Sequence, residues 1–90
     1  MELYKEIEKS FSYIEKLFSD DELAAFISTR IFDLYKYHFS LGLMIRNDLL
    51  HPDGSRLKEL FFENGIEHSD DMSSMIIKLF HYHAAKTAGQ

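Results

Sequence analysis

Asn64-Gly65-Ile66-Glu67-His68-Ser69-Asp70-Asp71-Met72-Ser73 closes one helix, turns, and opens another. Asn64-Gly65 suits a left-handed helix end, because glycine meets no steric penalty at positive φ. Ser69 is a natural N-cap. Asp70 and Asp71 fall in the following first turn, where the helix dipole favours anions. Upstream, Leu57, Leu60 and Phe61 recur at helical spacing over about Arg56 to Asn64. Downstream, Met72, Met75, Ile76, Leu79, Phe80 and His83 predict a helix from near Asp70 that frays over Thr87 to Gln90.

Toward the amino terminus the same punctuation repeats. His51-Pro52-Asp53-Gly54-Ser55 is the main turn. Pro52 sets its own backbone angle, Asp53-Gly54 suits a type I turn ending on Gly, and Ser55 or Asp53 can cap the next helix. A long helix is predicted from about Arg30 to about Asp48, with Ile31, Leu34, Tyr35, His38, Leu41, Ile45 and Leu49 on one stripe. Phe32, Tyr37, Phe39 and Met44 make it apolar on other sides too, which marks a central helix. Gly42 in its interior costs about 1 kcal/mol relative to Ala, and close approach of another helix is the usual reason. Ser19-Asp20-Asp21-Glu22 forms a capping box for a short helix whose inner face is Leu23, Phe26 and Ile27. The first helix, about Leu3 to Phe18, carries the stripe Tyr4, Ile7, Phe11, Ile14 and Phe18. No segment reads as a strand. The expectation is an all-α fold: a single domain over residues 1–90, a compact bundle of about five helices, frayed at 1–2 and 87–90.

Composition narrows the function. An apolar fraction of 46% with eight Phe, five Tyr and no Trp predicts an aromatic core. The chain has no cysteine, so disulfides, thiolate metal sites and thiol catalysis are excluded. Their absence points to the cytoplasm. Met1 to Glu6 does not resemble a signal peptide, and no apolar run approaches the roughly 20 residues that span a bilayer, so no membrane partner is expected. The formal net charge of −5 argues against nucleic acid, favours solubility, and suits a basic partner.

Tyr37-His38-Phe39-Ser40-Leu41-Gly42-Leu43-Met44-Ile45-Arg46-Asn47, then Gly54-Ser55-Arg56-Leu57, Phe61 and Gly65 to Ser73, with Ile76 and Ile77, form an ordered set of motifs. Together they resemble a family of short bacterial domains of unknown function. Its pattern reads roughly Y-H-x-x-L-G-x-x-I-R-N, then G-S-x-L, then F-x-x-x-G-I-x-H-P-D-D-M-S-x-I-I. The resemblance spans Tyr37 to His81, about half the chain. Ser69 stands where the family often has Pro, and Met44 or Leu49 where it has Trp. The resemblance implies a bacterial protein and brings no established activity.

Arg46, Asn47, His68, Asp70 and Asp71 form the candidate cluster. Arg46 shares a side with Gly42 and is expected to reach Asp70 or Asp71, tying the long helix to the start of the last one. A bidentate Arg–carboxylate pair would fix geometry as well as add energy. The same residues could instead bind an anion or a partner. His68 with the two aspartates lacks a metal signature, and Asp70 and Asp71 face different ways on a helix. His81 and His83 are two apart and do not form the i, i+4 zinc pair. His38 reads as a satisfied core histidine. No metal and no cofactor is expected, and no catalytic residue is assigned.

Two readings from different classes follow. The first is a small non-catalytic interaction or regulatory module with an unidentified protein partner, or with itself, since thirteen Phe and Tyr exceed what one small core needs. The second is a ligand-binding or enzymatic domain using Arg46, Asn47, His68 and Asp71 in an interhelical cleft.

Overall fold

The computed structural model describes Glu2 to Gly89, and among these residues there are helices and no strand. The α-helices number six rather than five: α1 (Glu2–Lys9), α2 (Phe11–Glu15), α3 (Asp20–Ser28), α4 (Leu41–Ile45), α5 (Arg56–Glu63) and α6 (Ser69–Ala88). A 3-10 helix covers Ile31–Tyr37 and a π turn covers Arg46–Leu50. Met1 and Gln90, at the ends expected to fray, lie outside the described residues. Thr87 and Ala88 are part of α6.

The first predicted helix is broken in two. The Ser10 hydroxyl is buried and donates to the Ile7 carbonyl at 2.5 Å. That local bond competes with the helix ladder. The break turns Leu3 inward in place of Tyr4, which is exposed, while Ile7, Phe11 and Ile14 stay in the core as expected.

The long predicted helix is also broken, into the 3-10 helix, a turn, α4 and the π turn. Ile31, Phe32, Asp33, Tyr35, Tyr37, His38, Phe39 and Ser40 are all middling or poor helix formers. With three residues per turn, Leu34 and Tyr37 share the inner row while Tyr35 rotates outward. The π turn makes a second correction. The His51 N–H donates to the Arg46 carbonyl at 2.8 Å, a bond spanning five residues. It moves Leu50 into the buried position that a regular helix would give to Leu49, which is only partly buried.

The central element is therefore α6. It touches α3, α4, the 3-10 helix and the π turn, while α1 lies against α5. Two rows of α6 are buried: Met72, Ile76, Phe80 and Ala84 in one, Ser73, Ile77 and His81 in the other. The second row was not foreseen, and Met75, expected inside, is exposed. Phe26 of α3 joins the aromatic core, 5.7 Å from Phe80 and 4.8 Å edge-on to Tyr37.

The capping expectations divide. Ser19 and Glu22 make the full capping box. Its hydrogen bonds, from the Ser19 backbone N–H first, hold the Glu22 carboxyl below its ordinary pKa. Ser55 accepts from the Lys58 N–H at 3.1 Å and donates to the Leu49 carbonyl at 2.6 Å. After α5, the Ile66 N–H reaches the Phe61 carbonyl at 2.9 Å and the Gly65 N–H reaches that of Phe62 at 3.0 Å. With Gly65 at φ 81°, this is a Schellman ending, and Ile66 packs on the core. At the main turn Gly54 sits third of four at φ 76°, so the turn is not the expected type I. Ser69 is the first residue of α6 rather than its cap. His68 holds the cap position and makes no side-chain cap bond.

Candidate functional site

Arg46 begins the π turn and is only 7% exposed. Its Nη1 donates to the Ser73 hydroxyl at 2.9 Å and its Nη2 donates to the His38 carbonyl at 3.2 Å. The Asp70 carboxylate is 3.7 Å from Nε, and the His38 imidazole is 3.9 Å from the same carboxylate oxygen. The expected tie from Arg46 to the start of the last helix is present, but it is not a bidentate carboxylate pair. Asp70 is 68% exposed at its side chain, so water and salt screen its charge. Ser73 lies one turn deeper, fully buried, and its hydroxyl also donates to the Asp70 carbonyl at 3.1 Å. The buried partners set the geometry, because a buried charge is tolerated only when its donors are satisfied.

Gly42 makes room for this arrangement. A Cβ there would stand 2.9 Å from Arg46 Nη1, 3.4 Å from the Tyr37 carbonyl oxygen and 3.7 Å from Ile77 Cδ1. The close approach at Gly42 is thus chiefly a guanidinium, with α6 arriving through Ile77, and not a crossing helix backbone. A neighbouring tether holds the π turn from the other side: the Tyr13 hydroxyl donates to the Asp48 carboxylate. That hydrogen bond, helped by burial and the carboxylate charge, raises the Tyr13 pKa above its ordinary value.

Asn47, His68 and Asp71 are exposed, and among the described residues none of their side chains makes a hydrogen bond to the protein. Of the five cluster residues, Arg46 and Asp70 are brought together. No group of three or more His, Asp or Glu side chains is arranged to hold a metal ion among the described residues. His38 is half-buried, and it serves the clasp through its carbonyl rather than its ring. The buried histidine is His81, edge-on to Phe26 at 5.2 Å, with no hydrogen-bond partner for Nε2 among the described residues.

The second notable surface lies beside the clasp. Phe32 is 91% exposed, Phe39 83%, Tyr35 72% and Ile31 65%. Between the 3-10 helix and α6 runs a groove of about 380 Å³ whose walls include Ile31, Phe32, Tyr35, Ile77 and Lys78. Sequence reasoning placed Ile31 and Tyr35 inside, and it missed both this face and the buried role of Ser73. Ser73 had a signal in the sequence: it stands four residues before Ile77 and between Met72 and Ile76, so it shares their inward side.

The molecule is therefore an all-α domain whose middle segment is fastened to its last helix by a buried arginine. The chain belongs to the family described as Domain of unknown function (DUF6794), whose model matches residues 5–84. No curated protein and no solved structure matches it. No helix among the described residues is long and apolar enough to cross a membrane.

Proposed function

We propose that this domain is a protein-interaction module with no chemistry of its own, and that Ile31 to Phe39 is its contact face. The observation that carries this reading is the exposure of Ile31, Phe32, Tyr35 and Phe39 within nine consecutive residues. Clustered large apolar side chains on a small domain mark a contact surface, whereas scattered ones do not. The face lies on a 3-10 helix of seven residues, longer than that conformation usually runs. The alternative, a ligand-binding or catalytic cleft of Arg46, Asn47, His68 and Asp71, has less in its favour. Arg46 spends its donors on Ser73 and His38, and the other three point to solvent from separate positions.

The test is paired capture from the native cell, using the wild type and a Phe32→Ser/Tyr35→Ser variant as baits. A partner held by the wild type and lost by the variant supports the reading. Partners held equally by both contradict it. Light scattering covers the case in which the partner is a second copy: concentration-dependent mass in the wild type, and a monomer in the variant.

A further inference from the structure

Asn64-Gly65 ends α5, and it is also a dipeptide able to modify itself. The Gly65 backbone nitrogen adds to Asn64 Cγ, the bond from Cγ to Nδ2 breaks, and ammonia leaves with the proton of the Gly65 amide. Water then opens the resulting succinimide at either carbonyl. One opening gives an aspartate at position 64. The other gives an isoaspartyl linkage, in which the main chain runs through Cβ. Water enters, ammonia leaves, and nothing is oxidised. Glycine favours the attack because no Cβ shields its nitrogen. Both residues are exposed, so water reaches them. The chain's other asparagine, Asn47, is followed by Asp48 and has no such neighbour.

The folded junction opposes each part of this reaction. Ring closure needs Cβ and the attacking nitrogen on the same side of the Asn64 Cα–C bond. At ψ 14° that nitrogen nearly eclipses the Asn64 backbone nitrogen instead, away from Cβ. The Gly65 N–H donates to the Phe62 carbonyl at 3.0 Å, so its proton is engaged. The leaving group is held as well, because Nδ2 donates to the Leu60 carbonyl at 2.7 Å. Rotating ψ would also draw the Ile66 N–H off the Phe61 carbonyl, now at 2.9 Å, and lift Ile66 from the core. We propose that Asn64 is a site of spontaneous deamidation gated by this Schellman ending. It reacts only when the junction between α5 and α6 opens locally, and its product leaves that junction looser than before. A carboxylate only accepts, so the product cannot donate to the Leu60 carbonyl. It also sets a negative charge at a helix C-terminus, where the dipole disfavours it, with Glu63 and Glu67 close in sequence. The isoaspartyl form adds a main-chain atom between the Phe61 carbonyl and the Ile66 N–H, which displaces the bond that closes the ending. The site is independent of the contact face at Ile31 to Phe39.

The test holds the full chain at mildly alkaline pH, folded in buffer and unfolded in guanidinium chloride, and maps its peptides by mass spectrometry over time. Conversion of Asn64 is read as the mass gain of an acid over an amide. Isomerisation at Asp53-Gly54 brings no such gain and is thereby told apart. Asn64 is expected to convert in both states, about ten- to a hundred-fold more slowly when folded, because only the locally open fraction reacts. Ile66→Ala, with folding checked by circular dichroism, should speed the folded reaction about five-fold and leave the unfolded one unchanged. In Asn64→Asp, hydrogen exchange at the Ile66 N–H should quicken at least about five-fold. Equal rates in the folded and unfolded chain overturn the gate. Absence of conversion in the folded chain over about a thousand half-lives of the unfolded one overturns the site. Unchanged exchange at Ile66 in Asn64→Asp overturns the loosening.

Discussion

Residues 31–39 and residues 41–50 are neighbours of similar apolar content, yet they are built inside out relative to one another. The first segment exposes Ile31, Phe32, Tyr35 and Phe39. The second buries Leu41, Ile45 and Leu50, and with them a charged arginine. Hydrophobicity alone would have put four large apolar side chains in and the guanidinium out. Backbone period decides otherwise. The 3-10 helix leaves one inward row, occupied by Leu34 and Tyr37, and the π turn directs Arg46 to Ser73 and the His38 carbonyl. The contrast teaches that exposed apolar residues and a buried charge can be equally deliberate. The second serves the fold, and the first, on the reading proposed above, is kept for a partner.

The contrast can be broken most forcibly at Arg46. Arg46→Ala removes two charge-assisted hydrogen bonds and leaves a gap over Gly42. It should cost about 3 kcal/mol in urea unfolding. A loss below about 1 kcal/mol would mean the arginine is not structural.

Gly42→Ala sharpens the same point. In the wild type its Cβ would crowd the guanidinium at 2.9 Å, so the substitution should cost about 1 kcal/mol despite the better helix propensity of Ala. In the Arg46→Ala background the crowding is gone, and the same change should stabilise by about 1 kcal/mol. Additive effects in this cycle would show that the two residues do not meet.

Tyr13→Phe is smaller, because its partner Asp48 is solvent-exposed. It should cost about 0.5–1 kcal/mol at neutral pH. The folded Tyr13 pKa is raised, so the tether's contribution is complete below the ordinary tyrosine value of about 10 and is lost as pH rises through the folded value. The stability difference between wild type and Tyr13→Phe should therefore shrink in alkaline unfolding experiments. The Glu22 cap has the opposite sign. Its folded pKa is lowered, so its contribution is present above the ordinary glutamate range and fades as acid protonates the folded carboxylate.

Much of the chain's local punctuation was legible in the sequence, Ser69 as a cap and the type I turn at Asp53-Gly54 excepted. Ser19 with Glu22, Ser55 before Arg56, and Gly65 after Asn64 each act through their immediate neighbours, and each was found in its place. The class was legible because the apolar residues of α3, α5 and α6 keep a helical period. The middle segment was not. Its apolar residues fit a 3.6-residue period as well as a mixture of 3-10, α and π turns, and only tertiary packing chooses between them. The candidate site suffered the same ambiguity. Arg46 and Asp70 were foreseen as neighbours, but a stripe read as carboxylates against arginine overlooks Ser73, whose importance comes from burial and not from charge.

Urea unfolding of a Phe32→Ser/Phe39→Ser variant tests the central claim most directly, because it asks whether the apolar face contributes to the fold at all. If these side chains are kept for a partner, the stability should stay within about 0.5 kcal/mol of the wild type. A loss of about 2 kcal/mol or more, the scale of withdrawing a buried Phe from a core, would contradict the account and place the face inside the folded protein.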